Sequence, residues 1–368
     1  MRTIESLAKG RDNNFNLIRV VAATAVLVSH AWPIALGPGV VEPLETIAPT
    51  NLGRLAVAVF FAVSGFFITK SFDRRESFIA FGVARVLRLF PGLIAVLLLT
   101  LFLLGPAFTH LALSDYFGSW RTWTYVPHNL LLFRLQYDLP ETFTANPIGP
   151  AINGSLWTLW YEVSCYGGVV VLGFAGLLRR RRFPLFPLFL LAYALLYSAL
   201  RMRQPGLPPA PIMELSLPFV TGACFYVFGR YLPLSLGGVA LLAGLAFLLR
   251  ETMLYREAFI LALAYAVFWV GHLEWPLLRS YNRLGDYSYG MYIFAFPIEQ
   301  SIVALVPGIA PGALIVAALG VTIPCAIASW HWIEHPALAQ RHRLGHRLTL
   351  SWNGVRRQPA PLPDPAAD

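Results

Sequence analysis

The chain has 368 residues, 57% of them apolar and 13% charged, with 28 Lys and Arg against 19 Asp and Glu and a net charge of +9. Soluble globular proteins carry about 25% charged residues, so half of that complement is missing, and the mean hydropathy is +0.60. These values exclude a disordered chain, a coiled coil and a disulfide scaffold and argue against an ordinary soluble enzyme. An all-α, polytopic integral membrane protein remains.

Residues 1–12 form a polar, cytoplasmic N-terminal segment. No small-residue cleavage pattern closes the first apolar run, so the first helix is expected to be retained. Ten runs follow, at roughly 15–35, 52–70, 89–107, 153–178, 183–200, 212–230, 233–250, 258–276, 285–305 and 311–333. Each approaches the about 20 residues that cross the hydrocarbon core. The tetrad Arg179 to Arg182 separates the fourth from the fifth, because arginines do not rest in hydrocarbon. With the N-terminus in the cytoplasm, 20 of the 28 Lys and Arg fall on inside segments and 7 outside. This positive-inside bias puts both termini of a multi-pass protein in the cytoplasm. On a soluble domain such a basic excess would point to nucleic acid; between spans it sets orientation, and no nucleic-acid partner is expected.

The largest outside segment, 108–152, is polar and aromatic and too short for an independent domain. A single membrane domain is expected over 13–336. Residues 337–368 form a cytoplasmic tail, rich in Pro and Ala from about 348 and there expected to be disordered. Cys165, Cys224 and Cys325 lie inside apolar runs without motif spacing, which argues against a disulfide framework or a zinc site.

Ionisable groups inside spans are costly and so are functional candidates. Arg19 and His30, both on the first span, are 11 residues apart, which on a helix gives about 20° in direction and about 16 Å along the axis. They share one face. Arg19 alone could equally snorkel to inner headgroups; the aligned pair favours function. On the second span, Phe60-Phe61 with Ser64-Gly65 reads mainly as close helix packing. Arg85 and Arg88, at i and i+3, lie side by side on a helix and can grip phosphates or simply anchor the inner face.

The fourth span opens Asn153-Gly154-Ser155-Leu156-Trp157 and carries Glu162 about 13 Å deep. A carboxylate there must be paired, neutral or working. The sequon at Asn153 is taken as chance. The ninth span, Gly285-Asp286-Tyr287-Ser288-Tyr289-Gly290-Met291-Tyr292 onward to Glu299-Gln300, is polar enough to face the protein interior or a wet cavity. His331-Trp332-Ile333-Glu334-His335 matches a zinc-peptidase pattern formally. Pro336 ends that stretch at once and the site would sit at the membrane rim, so the match is rejected and no metal is expected.

Together these segments resemble the acyltransferase-3 family of membrane acyltransferases, which O-acylate bacterial surface sugars, from about Asn13 to Pro336. Arg19 and His30 resemble the family's Arg-x10-His motif. Phe60-Phe61 with Ser64-Gly65, Arg85 with Arg88, and Gly154-Ser155-Leu156-Trp157 with Glu162 resemble its second-, third- and fourth-span landmarks. Ser288-Tyr289 with Tyr292, and Glu334 with Pro336, resemble its C-terminal ones. Two departures stand out. Many relatives carry a His before the ninth-span proline, where this chain reads Phe294-Ala295-Phe296-Pro297, and many carry an extracytoplasmic esterase-like domain that this chain lacks.

The resemblance implies an acyl-CoA donor, acetyl-CoA in the simplest case, from the cytoplasm. The acceptor is a carbohydrate hydroxyl of an exopolysaccharide, lipopolysaccharide or other surface glycan, and the setting is the bacterial inner membrane, with no permanently bound cofactor. The expected catalytic residues are His30 as general base, Arg19 at the inner end of the path, and Glu162 orienting the imidazole or an arginine. Arg85 and Arg88 would hold the CoA phosphates. Trp157, Tyr287, Ser288 and Tyr292 would line the substrate site, with core packing an equal claim on the aromatics. The alternatives are a transporter or flippase without covalent chemistry, acylation of a small-molecule natural product, and a structural membrane subunit.

Overall fold

Each of the ten apolar runs lies on a helix in the computed structural model, which describes residues 2–8, 13–74, 77–178, 185–203 and 210–356. The chain proceeds through α1 (Phe15–Leu36), α2 (Leu52–Asp73), α3 (Phe78–Leu99) and, outside the apolar runs, α4 (Trp120–Leu130). It continues through α5 (Trp157–Phe174), α6 (Leu185–Arg203), α7 (Pro211–Val227), α8 (Leu236–Leu248) and α9 (Tyr255–Gly271). The last long helices are α10 (Ser288–Leu305), α11 (Pro311–Ser329) and α12 (Arg341–Arg356). No strand occurs among the described residues. The Arg179 to Arg182 tetrad, with Lys9 and Arg11 of the N-terminal segment, lies outside the described residues.

Four helices are long and apolar enough to cross a membrane among the described residues: Phe15–Leu36, Leu52–Asp73, Phe78–Phe108 and Pro311–Leu350. A fifth results if Tyr255–Gly271 and Pro276–Arg283, bent by 84° at their junction, act as one. Of the ten expected crossings, four or five are thus carried by helices that are both long and apolar enough to span a membrane among the described residues. The reason is plain at α8: its 13 residues rise about 20 Å, short of the roughly 30 Å hydrocarbon core. The tail also differs from expectation. The segment beyond 348 continues as helix α12 to Arg356, and residues 357–368 lie outside the described residues.

Local chemistry explains where the helices begin. Asn51 accepts the N–H of Arg54 at 2.8 Å to cap α2, and Ser77 accepts the N–H of Ala80 to cap α3; each satisfies one of the orphan donors of a first turn. The Glu42 carboxylate accepts the Leu52 N–H and, at 2.5 Å, the Ser29 hydroxyl, tying the 37–51 connection to both α1 and α2.

Helix α10 is the centre of the bundle. Every residue from Ser288 to Pro297 is buried, as expected for a helix surrounded by protein. Its Met291 and Ala295 pack with Ala23 and Leu27 of α1, and Gly290 sits against Ala326 of α11. Pro297 lacks an N–H, so the carbonyl of Ile293 four residues earlier loses its helical partner. Asn153 fills that vacancy, its Nδ2 donating to the Ile293 oxygen at 2.9 Å. The buried Asn153 side chain is thus structural, which agrees with treating the sequon as chance.

Helix α2 meets α7 through two glycines. A Cβ on Gly65 would collide with the Phe219 carbonyl, and one on Gly222 with the Ala62 carbonyl. This is the small-residue approach that membrane helices use in place of a hydrophobic drive, and it accounts for Gly65 as packing. The 108–152 segment folds over one end of the bundle. Tyr116 donates to the Leu101 oxygen at 2.9 Å, and burial raises its phenol pKa. Arg121 pairs with Asp138 at 2.6 Å, and Asn146 Nδ2 donates to the Gln300 backbone oxygen at 2.9 Å.

Candidate active site

Two cavities lie among the helices, the larger reaching the 37–51 connection, and Val57 and Tyr292 line both. The larger, about 790 Å³, is bordered by His30, Glu42, Glu45, Arg54, Trp157 and Tyr255. The smaller, about 110 Å³, is bordered by Arg19, Arg85, Arg88, Glu162, Tyr166 and Ser288. Helix α1 supplies Arg19 to one and the His30 imidazole to the other, and α3 supplies Arg85 and Arg88. The aligned pair that the sequence places on one face therefore serves two chambers, with the Tyr292 side chain between them.

Asp286 anchors the arginine cavity. Its Oδ2 lies 2.7 Å from Arg88 and 3.3 Å from Arg19, while its Oδ1 accepts the Ser288 hydroxyl at 2.6 Å. Arg88 also faces Glu334 at 3.7 Å, and Ser329 donates to the other Glu334 oxygen at 2.8 Å. Glu334 lies on a π-helical turn, Trp330–Glu334. Such turns often mark functional positions, and here the turn brings Glu334 into line with Arg88. The ring of Tyr289 lies 5.9 Å beneath the Arg88 guanidinium, and its hydroxyl donates to the Leu89 oxygen at 2.7 Å. Two cations of like charge are thus held together by one shared carboxylate, Asp286, an arrangement suited to gripping an anion with forked donors.

His30 has a different setting. Its ring meets Phe296 edge-on at 5.3 Å, and its Nδ1 is buried with no hydrogen-bond partner among the described residues. Phe296 also covers Gly154, where a Cβ would come within 2.6 Å of the ring. The wall around His30 carries carboxylates, Arg54, and the aromatic faces of Trp157 and Tyr255. Tyr292 donates to the Ser155 oxygen at 2.9 Å and accepts from the Thr158 hydroxyl at 2.6 Å. Those bonds fix its ring between the cavities.

The expected site residues divide between the two cavities. Glu162 faces the arginine cavity and accepts the Tyr166 hydroxyl, so it stands with the arginines and not with His30. Trp157 borders the His30 cavity, Ser288 borders the arginine cavity, and Tyr292 borders both. Tyr287 borders neither: its hydroxyl donates to the Leu284 oxygen at 2.5 Å and its ring packs near His331. Arg85 lines the arginine cavity with its guanidinium over Phe81.

Sequence reasoning passed over Asp286 and Tyr166 as site residues. An acidic residue just ahead of a polar span, beside an excess of interior arginines, was the available signal for Asp286. It also passed over Glu299, fully buried on α10, whose two carboxylate oxygens have no partner among the described residues.

Comparison with known proteins places the chain in a family. The model of the acyltransferase-3 family, described as an acyltransferase domain, matches residues 12–331. A protein of Shigella phage Sf6 named O-acetyl transferase is 31% identical over 305 residues, covering 80% of this chain and 86% of that protein. Nodulation protein 10 of Rhizobium leguminosarum bv. viciae is 33% identical over 165 residues, 43% of each chain. No solved structure matches the chain.

Proposed function

We propose that this chain, which belongs to the acyltransferase-3 family and is an acyltransferase, moves an acetyl group from cytoplasmic acetyl-CoA to a carbohydrate hydroxyl at the opposite face of the membrane. An acyltransferase makes and breaks covalent bonds, which sets aside a transporter and a structural subunit. The reading places the protein in a bacterial inner membrane with both termini cytoplasmic and its ten helical runs crossing or entering the bilayer. It makes the arginine cavity the donor side and the His30 cavity the acceptor side.

One observation carries the reading: an imidazole, its buried Nδ1 without a hydrogen-bond partner among the described residues, bordering a chamber large enough for a sugar and one tyrosine away from a paired-arginine chamber. Ligand sites commonly occupy about 300–1,000 Å³ and combine apolar walls with a few placed polar groups. The His30 cavity has that size, with aromatic faces for sugar rings and carboxylates for their hydroxyls. The relative named O-acetyl transferase supports oxygen as the acceptor atom and acetyl as the group.

His30 takes the proton of the acceptor hydroxyl as that oxygen attacks the thioester carbonyl carbon. The C–O bond forms, the C–S bond breaks, and the proton leaves with the CoA thiolate. General-base help of this kind contributes about 10²–10⁴ in rate. Arg85 and Arg88 hold donor phosphates, Arg19 completes the cationic wall, and Glu162 with Tyr166 sets the guanidinium positions. Trp157, Ser288 and Tyr292 shape the substrate path.

The test is labelled acetyl-CoA with purified protein in lipid nanodiscs and a surface-glycan acceptor. Label in an ester of the glycan is the expected result. Intact donor and unmodified glycan, with the protein shown to be folded, would overturn the reading.

A further inference from the structure

A thioester arriving through the arginine cavity and a hydroxyl held in the His30 cavity meet at the partition between them. Among the described residues only Val57 and Tyr292 border both cavities, and of these only the Tyr292 phenol has a proton to offer. Thr158 borders the arginine cavity, and its hydroxyl lies 2.6 Å from the phenol oxygen. The phenol in turn donates to the Ser155 backbone oxygen at 2.9 Å.

The phenol is held in place by its surroundings. The Tyr292 ring meets Phe60 edge-on at 5.9 Å and projects from the buried stretch of α10. One turn along the same face, Phe296 packs against His30 at 5.3 Å between ring centres and against Gly154, where a Cβ would come within 2.6 Å of it. Gly154 precedes the Ser155 whose oxygen the phenol holds. The imidazole and the phenol therefore both stand beside Phe296 and border one cavity.

Attack on a thioester carbonyl converts its oxygen into an alkoxide, and enzymes stabilise that charge with donors fixed in advance. The present acceptor of the phenol is a neutral carbonyl. A bond to an anionic oxygen is about twice as strong, and reaching it requires only rotation of the O–H. Thr158 continues to donate to the phenol oxygen, which polarises the phenol and strengthens its own donation.

We propose that the Tyr292 phenol, backed by the Thr158 hydroxyl, is the oxyanion donor of the transfer, a role that rests on the acetyl-CoA reading above. The acceptor oxygen adds to the thioester carbon, the π pair moves onto the carbonyl oxygen, and the phenol O–H donates to it. When the C=O bond reforms, the C–S bond breaks and the phenol, protonated throughout, returns to Ser155.

The test is the rate of labelled acetyl transfer in nanodiscs. Tyr292→Phe removes only the hydroxyl, and kcat should fall about 10²–10³, the weight of one oxyanion donor, with KM for acetyl-CoA within about twofold. Thr158→Val should lower kcat about tenfold, the weight of one hydrogen bond. Tyr287→Phe, whose phenol borders neither cavity, should keep the wild-type kcat. A wild-type kcat in Tyr292→Phe would overturn the proposal, and so would a raised KM with kcat kept, which marks a binding role. Fluorotyrosines in place of Tyr292 keep the side chain's bonds and vary only its acidity. Their kcat should change in step with that acidity, and a constant kcat overturns the proposal even where Tyr292→Phe fails to fold. Isotope-edited infrared spectra of carbonyl-labelled acetyl-CoA on the protein, without acceptor, separate this from the donor reading. Absence of a bound carbonyl band refutes that reading and the proposal together, whereas a bound band with an unaltered kcat in Tyr292→Phe refutes the role of the phenol alone.

Discussion

Substituting Asp286 by Asn removes one carboxylate charge without changing the side chain's volume. Arg88 lies 2.7 Å from its Oδ2 and Arg19 3.3 Å, and only 10% of the Asp286 side chain and 17% of the Arg88 side chain are exposed. Removing one partner from such a buried arrangement leaves an uncompensated charge and costs about 3–5 kcal/mol. Arg88 retains Glu334 at 3.7 Å, and Arg19 retains Asn16 at 2.6 Å, so the lower end applies, about 3 kcal/mol. That is roughly a hundredfold in the unfolding equilibrium. Denaturant unfolding in nanodiscs measures it, and KM for acetyl-CoA in the same variant should rise as the two guanidiniums separate. Adding Arg19→Met restores the charge balance while Arg88 stays with Glu334, so the double variant should recover part of the stability but not the transfer. Stability of Asp286→Asn unchanged to within about 0.5 kcal/mol would refute the view that this carboxylate holds the pair together.

Other consequences are equally specific. Asn153→Ala leaves the Ile293 carbonyl, already deprived of its helical donor by Pro297, without a partner; a loss of about 1–3 kcal/mol should appear as a lowered thermal midpoint, and an unchanged midpoint would mean that another donor serves that oxygen. Gly65→Val forces α2 off the Phe219 backbone and should abolish stable, monodisperse protein in detergent, where a surface change such as Gly312→Ala, with nothing near its Cβ position, should not.

The helices themselves were legible in the sequence because twenty-residue apolar runs have few other solutions, and every run proved helical. Their reach across a bilayer was less legible: composition does not reveal where a helix stops short, as α8 does at Leu248, or where a span bends, as after Gly271. The start of the tail was also less legible. Composition from 348 onward signalled disorder, yet continuity with α11 and packing of Gly345 on Ala80 extend the helix to Arg356.

In the site, Arg19, His30, Arg85, Arg88 and Glu162 stood out because charge inside a span is costly. Their grouping did not follow from spacing. Glu162 could be placed against His30 or the arginines by depth alone, and only the packing of α5 against α2 and the Tyr166 bond put it with the arginines. Tyr287 and Ser288 are neighbours in sequence, but on a helix their side chains diverge by about 100°, and one faces the cavity while the other packs outside it.

In the proposed reaction His30 takes the acceptor's proton. The initial rate of labelled acetyl transfer by His30→Gln in nanodiscs, with donor binding followed in parallel, tests this. A fall of about 10²–10⁴ in rate is expected, with acetyl-CoA still bound and the protein's thermal midpoint close to wild type. Transfer at the wild-type rate by this variant would contradict it.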